Sequence, residues 1–245
     1  LLNSYTYPYN IDVKYKMEDI YSDMKYHLVP ADSAKAAKLS IIAKYLWFDA
    51  YAECVGPNFV KANVPRIIHL IGSPAFNSGQ GTMVLGTAEG GLVITLYMVN
   101  NLTDKMLTDY ATVNDYYFHT MHHEFTHILN QKIPYDENFQ HISEGNYVSG
   151  DWYQKRTSAA NKKGFVTPYA MSEPLEDFAE MLSVYVTTSP SGWQKIMDTA
   201  GTIQAKLDVV RAYMKASWKL DIDELRSIVL RRASEINHLD LNQLK

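Results

Sequence analysis

Residues 119–131, HTMHHEFTHILNQ, contain four of the chain's eight histidines. Three of them, His119, His123 and His127, are four residues apart, so a helix over this stretch places them on one side. Apolar residues cluster on another side and predict the face that packs against the core: Phe118, Met121, Phe125 and Ile128. The histidine side therefore either binds a metal ion or forms a polar, solvated surface.

The order of residues within this stretch favours metal binding. His123, Glu124 and His127 form the pattern H-E-x-x-H, in which two imidazoles four residues apart can converge on one cation such as zinc. Glu124 is offset by one residue, so we expect its carboxylate to act as general base on a water at the metal, and not as a ligand. His122 points about 100° away from His123 and is interpreted as structural. For His119 we favour a supporting or surface role over ligation.

A catalytic zinc site usually has three protein ligands and an open position, so a third ligand is expected downstream. The candidates are Asp136, Glu137, His141, Glu144, Glu173, Glu176, Asp177 and Glu180. Glu176 and Glu180 are four residues apart on a predicted helix and face the same way. One of them could bind the metal while the other accepts a hydrogen bond from a ligand histidine. Their apolar neighbours, such as Phe178 and Met181, disfavour the alternative of a solvated glutamate pair.

Composition and charge narrow the class of protein. The chain has 245 residues, of which 47% are hydrophobic and 20% are charged, as is ordinary for a globular protein. A net charge of −4 favours neither nucleic acid nor an anionic membrane as partner. No apolar run approaches the roughly 20 residues of a transmembrane helix. The sequence begins at Leu1, without Met, so we expect a mature or truncated chain in which a signal or lipidation segment is not visible. Cys54, the only cysteine, lies near the end of a predicted amphipathic helix and is interpreted as an inert core residue.

The order of predicted elements indicates an α+β fold, with strands in the first half and helices in the second. Predicted strands cover 10–15, 66–72 and 92–99, and the glycine-rich run 72–91 is expected to form a hairpin or extended turns at a boundary between subregions. Predicted helices cover 17–26, 33–55, 111–131, 172–187 with Ser172 as cap, 192–199, 202–218 and 222–237, and one more begins near Thr103. Residues 132–170 are expected to be loop-like. We expect one domain over 1–245, with an α+β part at 1–131 and a helical part at 132–245. Whether the first 30 residues join the fold or form a tether stays open.

Two short motifs carry a resemblance to a known class of enzyme. HHEFTHIL followed by EDFAEMLS resembles a gluzincin-type metallopeptidase, in which a helix with E-x-x-x-E supplies the third zinc ligand. The resemblance implies a zincin-like fold in which His123 and His127 bind Zn2+ together with Glu176, while Glu180 supports the site. Some toxin metalloproteases with a similar motif use a tyrosine seven residues before the ligand glutamate. The matching residue is Tyr169 in GFVTPYA, whose phenol would stabilise an oxyanion.

A wider resemblance covers most of the chain. HHEFTHILNQ, GFVTPYA, EDFAEML and the C-terminal DELRSIVLRRASEI are similar to zinc-binding metallopeptidases of Bacteroidetes, which are lipoproteins associated with outer-membrane nutrient import. The resemblance implies a zinc-dependent peptidase acting on a peptide or glycopeptide, a cleaved lipoprotein signal and a cell-envelope location. Outer-membrane import components are the partners that it implies. Asp177, Glu144 and His119 stay open as further metal ligands.

Three functional hypotheses follow from these features. The leading one is a zinc-dependent peptidase, and a second is a zinc hydrolase acting on a non-peptide amide or a glycan-linked peptide. A third is a non-catalytic surface accessory that binds glycan or peptide, which a fourth protein ligand such as His119 would favour by closing the metal site.

Substrate binding has two candidate locations in the sequence. The strand over 92–99 is expected to lie at the sheet edge and to pair with an extended peptide. Aromatic residues of the segment 134–170 either line a pocket for an aromatic, apolar or sugar group or form an ordinary loop: Tyr135, Tyr147, Trp152, Tyr153 and Phe165.

Overall fold

The computed structural model describes residues 1–16, 28–77, 82–84, 86–89 and 92–243. Its strands are β1 (Asp12–Lys14), β2 (Ile67–Leu70), β3 (Ala75–Asn77), β4 (Thr82–Val84), β5 (Gly86–Glu89) and β6 (Val93–Leu96). All of these strands precede residue 97, and the later described residues are helices and loops. The chain is therefore α+β, with a small N-terminal mixed sheet and a mostly helical remainder, as predicted.

Four strands form the mixed sheet in the order β1-β2-β6-β5. β1, β2 and β6 are parallel, whereas β5 runs antiparallel to β6 with Thr87 opposite Thr95. Every residue of β6 is buried, as is typical of a strand that is covered on both faces. β3 and β4 form a separate antiparallel hairpin, which confirms the prediction for the glycine-rich run.

The expectation that the strand over 92–99 lies at the sheet edge is wrong. β6 lies between β2 and β5, and Thr95 is only 2% exposed. Among the described strands, β5 is the edge on this side of the sheet, because Gly86–Glu89 folds back and pairs with β6, and β1 is the opposite edge. Gly86 permits this approach, since a Cβ atom there would lie 2.8 Å from Cγ2 of Thr120.

The helices are α1 (Tyr7–Tyr9), α2 (Ser33–Ala43), α3 (Asp49–Val55), α4 (Pro57–Asn63), α5 (Asp104–Leu107), α6 (Tyr110–Val113), α7 (His119–Lys132), α8 (Asn138–His141), α9 (Thr157–Lys162), α10 (Pro174–Thr187), α11 (Pro190–Met197), α12 (Thr202–Trp218) and α13 (Ile222–Ser234). Single π-helical turns join α2 to α3 and α6 to α7, so the long predicted helices over 33–55 and 111–131 are confirmed. The helix predicted at 17–26 lies outside the described residues. Short helices interrupt the segment predicted as loop at 132–170.

Helix starts follow local hydrogen bonding. The Asp32 side chain accepts hydrogen bonds from the backbone N–H groups of Ala34 and Lys35, so it caps α2. The predicted Ser172 cap of α10 is wrong. Ser172 already has helical backbone angles and its hydroxyl donates to the Tyr169 carbonyl, so Glu173 takes the N-cap position instead.

The predicted core face of α7 is confirmed. Phe118, Met121, Phe125 and Ile128 are all buried. Phe125 packs edge-on against Trp47 at 5.1 Å between ring centroids, which joins α7 to the π-helical turn between α2 and α3. One hydrophobic cluster contains residues from both the α+β part and the helical part, which supports the proposal of a single domain. Within the described ranges, no helix has the length and apolar character to span a bilayer.

Candidate metal centre

The side chains of two antiparallel helices meet on the histidine face of α7. Going up α7, His119 and His123 contact Glu180, and the next turn brings His127 to Glu176, one turn earlier on α10. This face is therefore not a solvated surface: the His123 side chain is only 5% exposed and that of Glu180 only 3%. α10 covers the face because its own glutamates, four residues apart, point at α7.

Three potential ligand atoms converge at one point between these helices. Nε2 of His123 lies 2.8 Å from Oε2 of Glu176, and Nε2 of His127 lies 3.2 Å from the same oxygen. The two imidazole nitrogens are 3.0 Å apart. Two histidines and one glutamate form a donor set found in catalytic zinc sites. The residues present thus fit a zinc ion, which lone pairs of two imidazoles and a carboxylate can share.

The local charge also favours a cation. Burial disfavours a charged His123, but its hydrogen bonds to Glu176 and Glu180 prevail and raise the pKa of this imidazole to about 10. Burial likewise opposes ionisation of Glu176, yet hydrogen bonds from His123 and His127 lower the pKa of its carboxyl to about 2. The His123 ring therefore lies between two carboxylates that favour a positive charge there, and a bound cation would take over that charge.

Glu180 holds the other nitrogen of His123. Its Oε1 atom lies 2.8 Å from Nδ1 of His123, and its Oε2 atom accepts a hydrogen bond from the Thr167 hydroxyl. A proton on Nδ1 leaves the Nε2 lone pair of His123 directed at Glu176 and His127. Glu176 therefore contacts the Nε2 atoms of His123 and His127, whereas Glu180 contacts Nδ1 of His123.

Tyr169 and Glu124 lie next to these ligands. The Tyr169 ring is 5.6 Å from the His123 ring, between centroids. Burial, followed by the neighbouring Glu176 carboxylate and then by Glu124 and Glu180, raises the pKa of the Tyr169 phenol well above its usual value. The phenol therefore stays protonated and can act as a hydrogen-bond donor. Glu124 is partly exposed on the same helical turn as His123.

The remaining histidines of α7 lie in two different environments. Nδ1 of His122 lies 2.9 Å from the Tyr51 hydroxyl in the core, and burial, with His119 nearby, lowers the pKa of His122 to about 3. This neutral, buried ring confirms the structural interpretation. Nε2 of His119 lies 2.7 Å from Oε1 of Glu180 and does not join the His123–His127–Glu176 cluster.

The other candidates for third ligand lie in different environments. Asp177 points away from the histidines, and its Oδ2 atom pairs with Nζ of Lys206 at 2.6 Å. Glu144 is exposed and pairs with His141 at 3.0 Å. Asp136 accepts a hydrogen bond from the backbone of Asn138, and Glu137 and Glu173 are exposed. None of these carboxylates belongs to a metal-competent cluster within the described part of the chain.

The aromatic residues of the segment 134–170 separate into two groups. Tyr135 stacks on Phe178 at 4.1 Å between ring centroids, and Tyr147 packs against the buried Phe165. Tyr135, Tyr147 and Phe165 therefore pack in or against the hydrophobic core. Trp152 contacts Tyr169 edge-on at 4.9 Å, and Tyr153 is exposed beside it. Trp152 and Tyr153 therefore border the candidate centre through the contact of Trp152 with Tyr169.

Comparisons with known proteins agree with this geometry. The family described as "putative zinc-binding metallo-peptidase" matches residues 1–223. The chain belongs to this family. A crystal structure from Bacteroides caccae that carries the same description is 45% identical in sequence, with a TM-score of 0.85, and the match covers 100% of this chain and 94% of that one. No curated protein matches the sequence.

Two features of the candidate centre and its surroundings escaped the sequence-based predictions. Thr167 supports Glu180, although it lies within the GFVTPYA stretch that drew attention to Tyr169. Lys206 neutralises Asp177 from α12, about 30 residues further along the chain. No local pattern marks a lysine of an amphipathic helix as buried, since lysine is almost always exposed.

Proposed function

We propose that the protein is a zinc-dependent peptidase of the zincin type, with zinc held by His123, His127 and Glu176. The observation that carries the proposal is the convergence of two Nε2 atoms and one carboxylate oxygen within 3.2 Å of one another between α7 and α10. A structural site would use four protein ligands, and these three leave one position for water and substrate.

Zinc bound there would supply Lewis acidity, which lowers the pKa of a water toward ~7 and polarises the scissile carbonyl. Glu124, beside His123 on α7, would accept the proton of the attacking water on its carboxylate. It would then give that proton to the leaving amide nitrogen, so that the peptide bond breaks and a free amine forms. Glu180 would keep the proton on Nδ1 of His123 throughout, as its 2.8 Å hydrogen bond supports.

Tyr169 would donate a hydrogen bond from its phenol to the oxygen that gains negative charge in the transition state. Its ring packs between His123 and Trp152, so its position is defined by contacts on two sides. The raised pKa of the phenol supports a donor role, because the proton stays on the oxygen.

A peptide substrate would lie along β5 and not along β6. β5 is the edge strand and passes α7 at Thr120, one turn before Glu124. An unpaired strand edge can add an extended peptide through backbone hydrogen bonds. The neighbouring rings of Trp152, which is partly buried, and Tyr153, which is exposed, would contact a side chain or an attached sugar of the substrate.

The alternative of a non-catalytic accessory requires a closed metal site. His119 was considered from the sequence as a fourth ligand. Its Nε2 atom instead forms a hydrogen bond with Glu180. This pairing supports the catalytic alternative. A location in the cell envelope as a lipoprotein, and an association with nutrient import components, are further proposals that rest on the resemblance to the Bacteroidetes proteins.

The test combines metal content with hydrolysis. We expect wild type and Glu124→Gln to retain about one zinc per chain, with hydrolysis of a mixed peptide library lost in Glu124→Gln. Glu137→Gln, an exposed glutamate on the loop after α7, is the matched control and is expected to behave as wild type. Hydrolysis by Glu124→Gln at the wild-type rate would refute the mechanism, and a folded wild type without zinc would refute the metal site.

A further inference from the structure

A second group of potential metal ligands shares His123 with the candidate zinc site. Nε2 of His119 and Nδ1 of His123 both approach Oε1 of Glu180, at 2.7 Å and 2.8 Å. The potential ligand atoms of these three residues lie within 4.8 Å of one another, as do those of His123, His127 and Glu176. The question is whether this second group holds a metal or a set of hydrogen bonds.

Geometry and protonation favour hydrogen bonds. Two nitrogens converge on one carboxylate oxygen at the distances of charge-assisted N–H···O bonds. In the zinc site, by contrast, two imidazole nitrogens face each other at 3.0 Å, where at most one hydrogen bond can form. A metal at the second group would need Nδ1 of His123 as a ligand, and that ring would then have to give up both of its protons. Glu180 therefore acts as acceptor for Nδ1–H of His123 and for Nε2–H of His119.

We propose that His119 is a positioning residue for the zinc site and acts through Glu180. This proposal rests on the zinc site proposed above. The Nε2–H group of His119 holds Oε1 of Glu180 where it accepts the proton of His123 Nδ1. That contact in turn sets the angle at which Nε2 of His123 meets the metal.

The burial of the three side chains explains why this position needs a donor. The side chains of Glu180 and His123 are 3% and 5% exposed, whereas that of His119 is 29% exposed, so His119 lies between the carboxylate and solvent. The other oxygen of Glu180 is held by Thr167, whose hydroxyl also accepts from the backbone N–H of Ala170. Removing His119 takes away one of the two donors to Oε1 and opens that oxygen to water, while Thr167 still holds Oε2.

The experiment measures zinc affinity by competition with a chromophoric chelator, and it does not depend on hydrolysis. We compare wild type with His119→Ala, His119→Gln and the exposed-histidine control His141→Ala. Groups that support metal ligands typically contribute 10–100-fold to metal affinity, and His119 acts one residue further out. We therefore expect about tenfold weaker zinc binding in His119→Ala, substantial rescue in His119→Gln through its amide N–H, and wild-type affinity in His141→Ala.

The outcomes separate this proposal from the proposed function. Zinc affinity of His119→Ala within twofold of wild type would overturn the positioning role and leave the peptidase proposal standing. Two zinc ions per wild-type chain, with one lost in His119→Ala, would make His119 a ligand and overturn the proposal as well. Wild type without zinc would overturn both proposals. Weakened binding in His119→Ala together with a wild type that hydrolyses no peptide would support the positioning role and refute the peptidase. Thermal unfolding of the metal-free variants shows whether His119→Ala lowers stability in general. If it does, the weaker zinc binding would follow from that loss, and His119→Gln would not restore zinc binding selectively.

Discussion

Nζ of Lys206 lies 2.6 Å from Oδ2 of Asp177, and both side chains are completely buried. Asp177 directly follows the proposed ligand Glu176 in the chain. The ammonium group also donates to the Gly164 carbonyl at 2.8 Å and lies 3.9 Å above the Phe165 ring. This contact joins α12, α10 and the segment that leads to Tyr169. It also explains why Asp177 lies outside the cluster of His123, His127 and Glu176.

The first prediction concerns the stability that depends on this pair. We expect Lys206→Met to lower the free energy of unfolding by roughly 3–5 kcal/mol, because it leaves the Asp177 carboxylate buried without a cation. Urea denaturation of the metal-free protein measures the change. Adding Asp177→Asn to Lys206→Met should recover part of the loss, since the uncompensated charge is then gone.

Lys215→Met on the same helix is the control for that experiment. Lys215 is 76% exposed and lies 3.7 Å from Asp221 at the surface, so we expect a change within about 0.5 kcal/mol. Equal effects of Lys206→Met and Lys215→Met would contradict the importance of the buried pair.

The second prediction concerns Tyr169. We expect Tyr169→Phe to keep its zinc and its KM while kcat falls about 10²-fold, because one donor to the oxyanion is lost. Because the pKa of the Tyr169 phenol is raised above its usual value of 10, the phenol stays protonated below that pH. Its ionisation should therefore not limit wild-type activity at any pH below 10. Steady-state kinetics on one peptide identified in the library test both points. An unchanged kcat in Tyr169→Phe would assign Tyr169 to packing against Trp152 alone.

The third prediction separates the edge strand from the central strand. The Leu96 carbonyl accepts from the backbone N–H of Ile71 on the β2 side, so Thr95 faces β5 and bonds with Thr87. The next residue of β5, Ala88, therefore directs its backbone N–H away from the sheet. We expect Ala88→Pro to fold and to raise KM for peptides, because the substrate loses one backbone partner.

Thr95→Pro is the contrasting variant for this test. It removes a ladder hydrogen bond from a buried central strand, so we expect loss of the folded protein in circular dichroism and in thermal unfolding. A folded Ala88→Pro with unchanged KM would argue against substrate binding along β5.

The fourth prediction concerns Cys54, whose thiol lies 3.6 Å from the Asp221 carbonyl. Burial, together with Glu224 and Asp221, raises the pKa of this thiol to about 12. The folded state thus keeps a proton that the unfolded state releases near pH 9. Cys54 therefore contributes stability below that pH, and the contribution is lost as the pH rises toward about 12.

Reactivity toward a thiol-specific disulfide reagent tests this interpretation. At pH 8 we expect slow labelling of the native protein and fast labelling in concentrated urea, because the thiolate is the reactive form. Native labelling at the rate of the unfolded chain would show that Cys54 is not the inert residue expected from its sequence context.

Much of the centre was accessible from the sequence because helical spacing is a local property. Residues four apart on one helix share a face whatever the rest of the chain does, so His123, His127, Glu176 and Glu180 could be paired in advance. The apolar face of α7 followed from the same periodicity. Strand positions at 10–15, 66–72 and 92–99 were predicted because short apolar runs bounded by turn residues are local signals too.

Only the tertiary structure decided which side chains meet across long separations in the chain. β6 became a central strand because Gly86–Glu89 pairs beside it, and sequence spacing does not specify strand order. Asp177 pairs with Lys206 and not with the histidines of α7. The burial of this lysine depends on a carboxylate from another helix. The role of His119 likewise depends on which atom of α10 lies opposite it. Sequence by itself determined the long helices and the faces they present, whereas the packing of α7, α10 and α12 determined the partners of their polar groups.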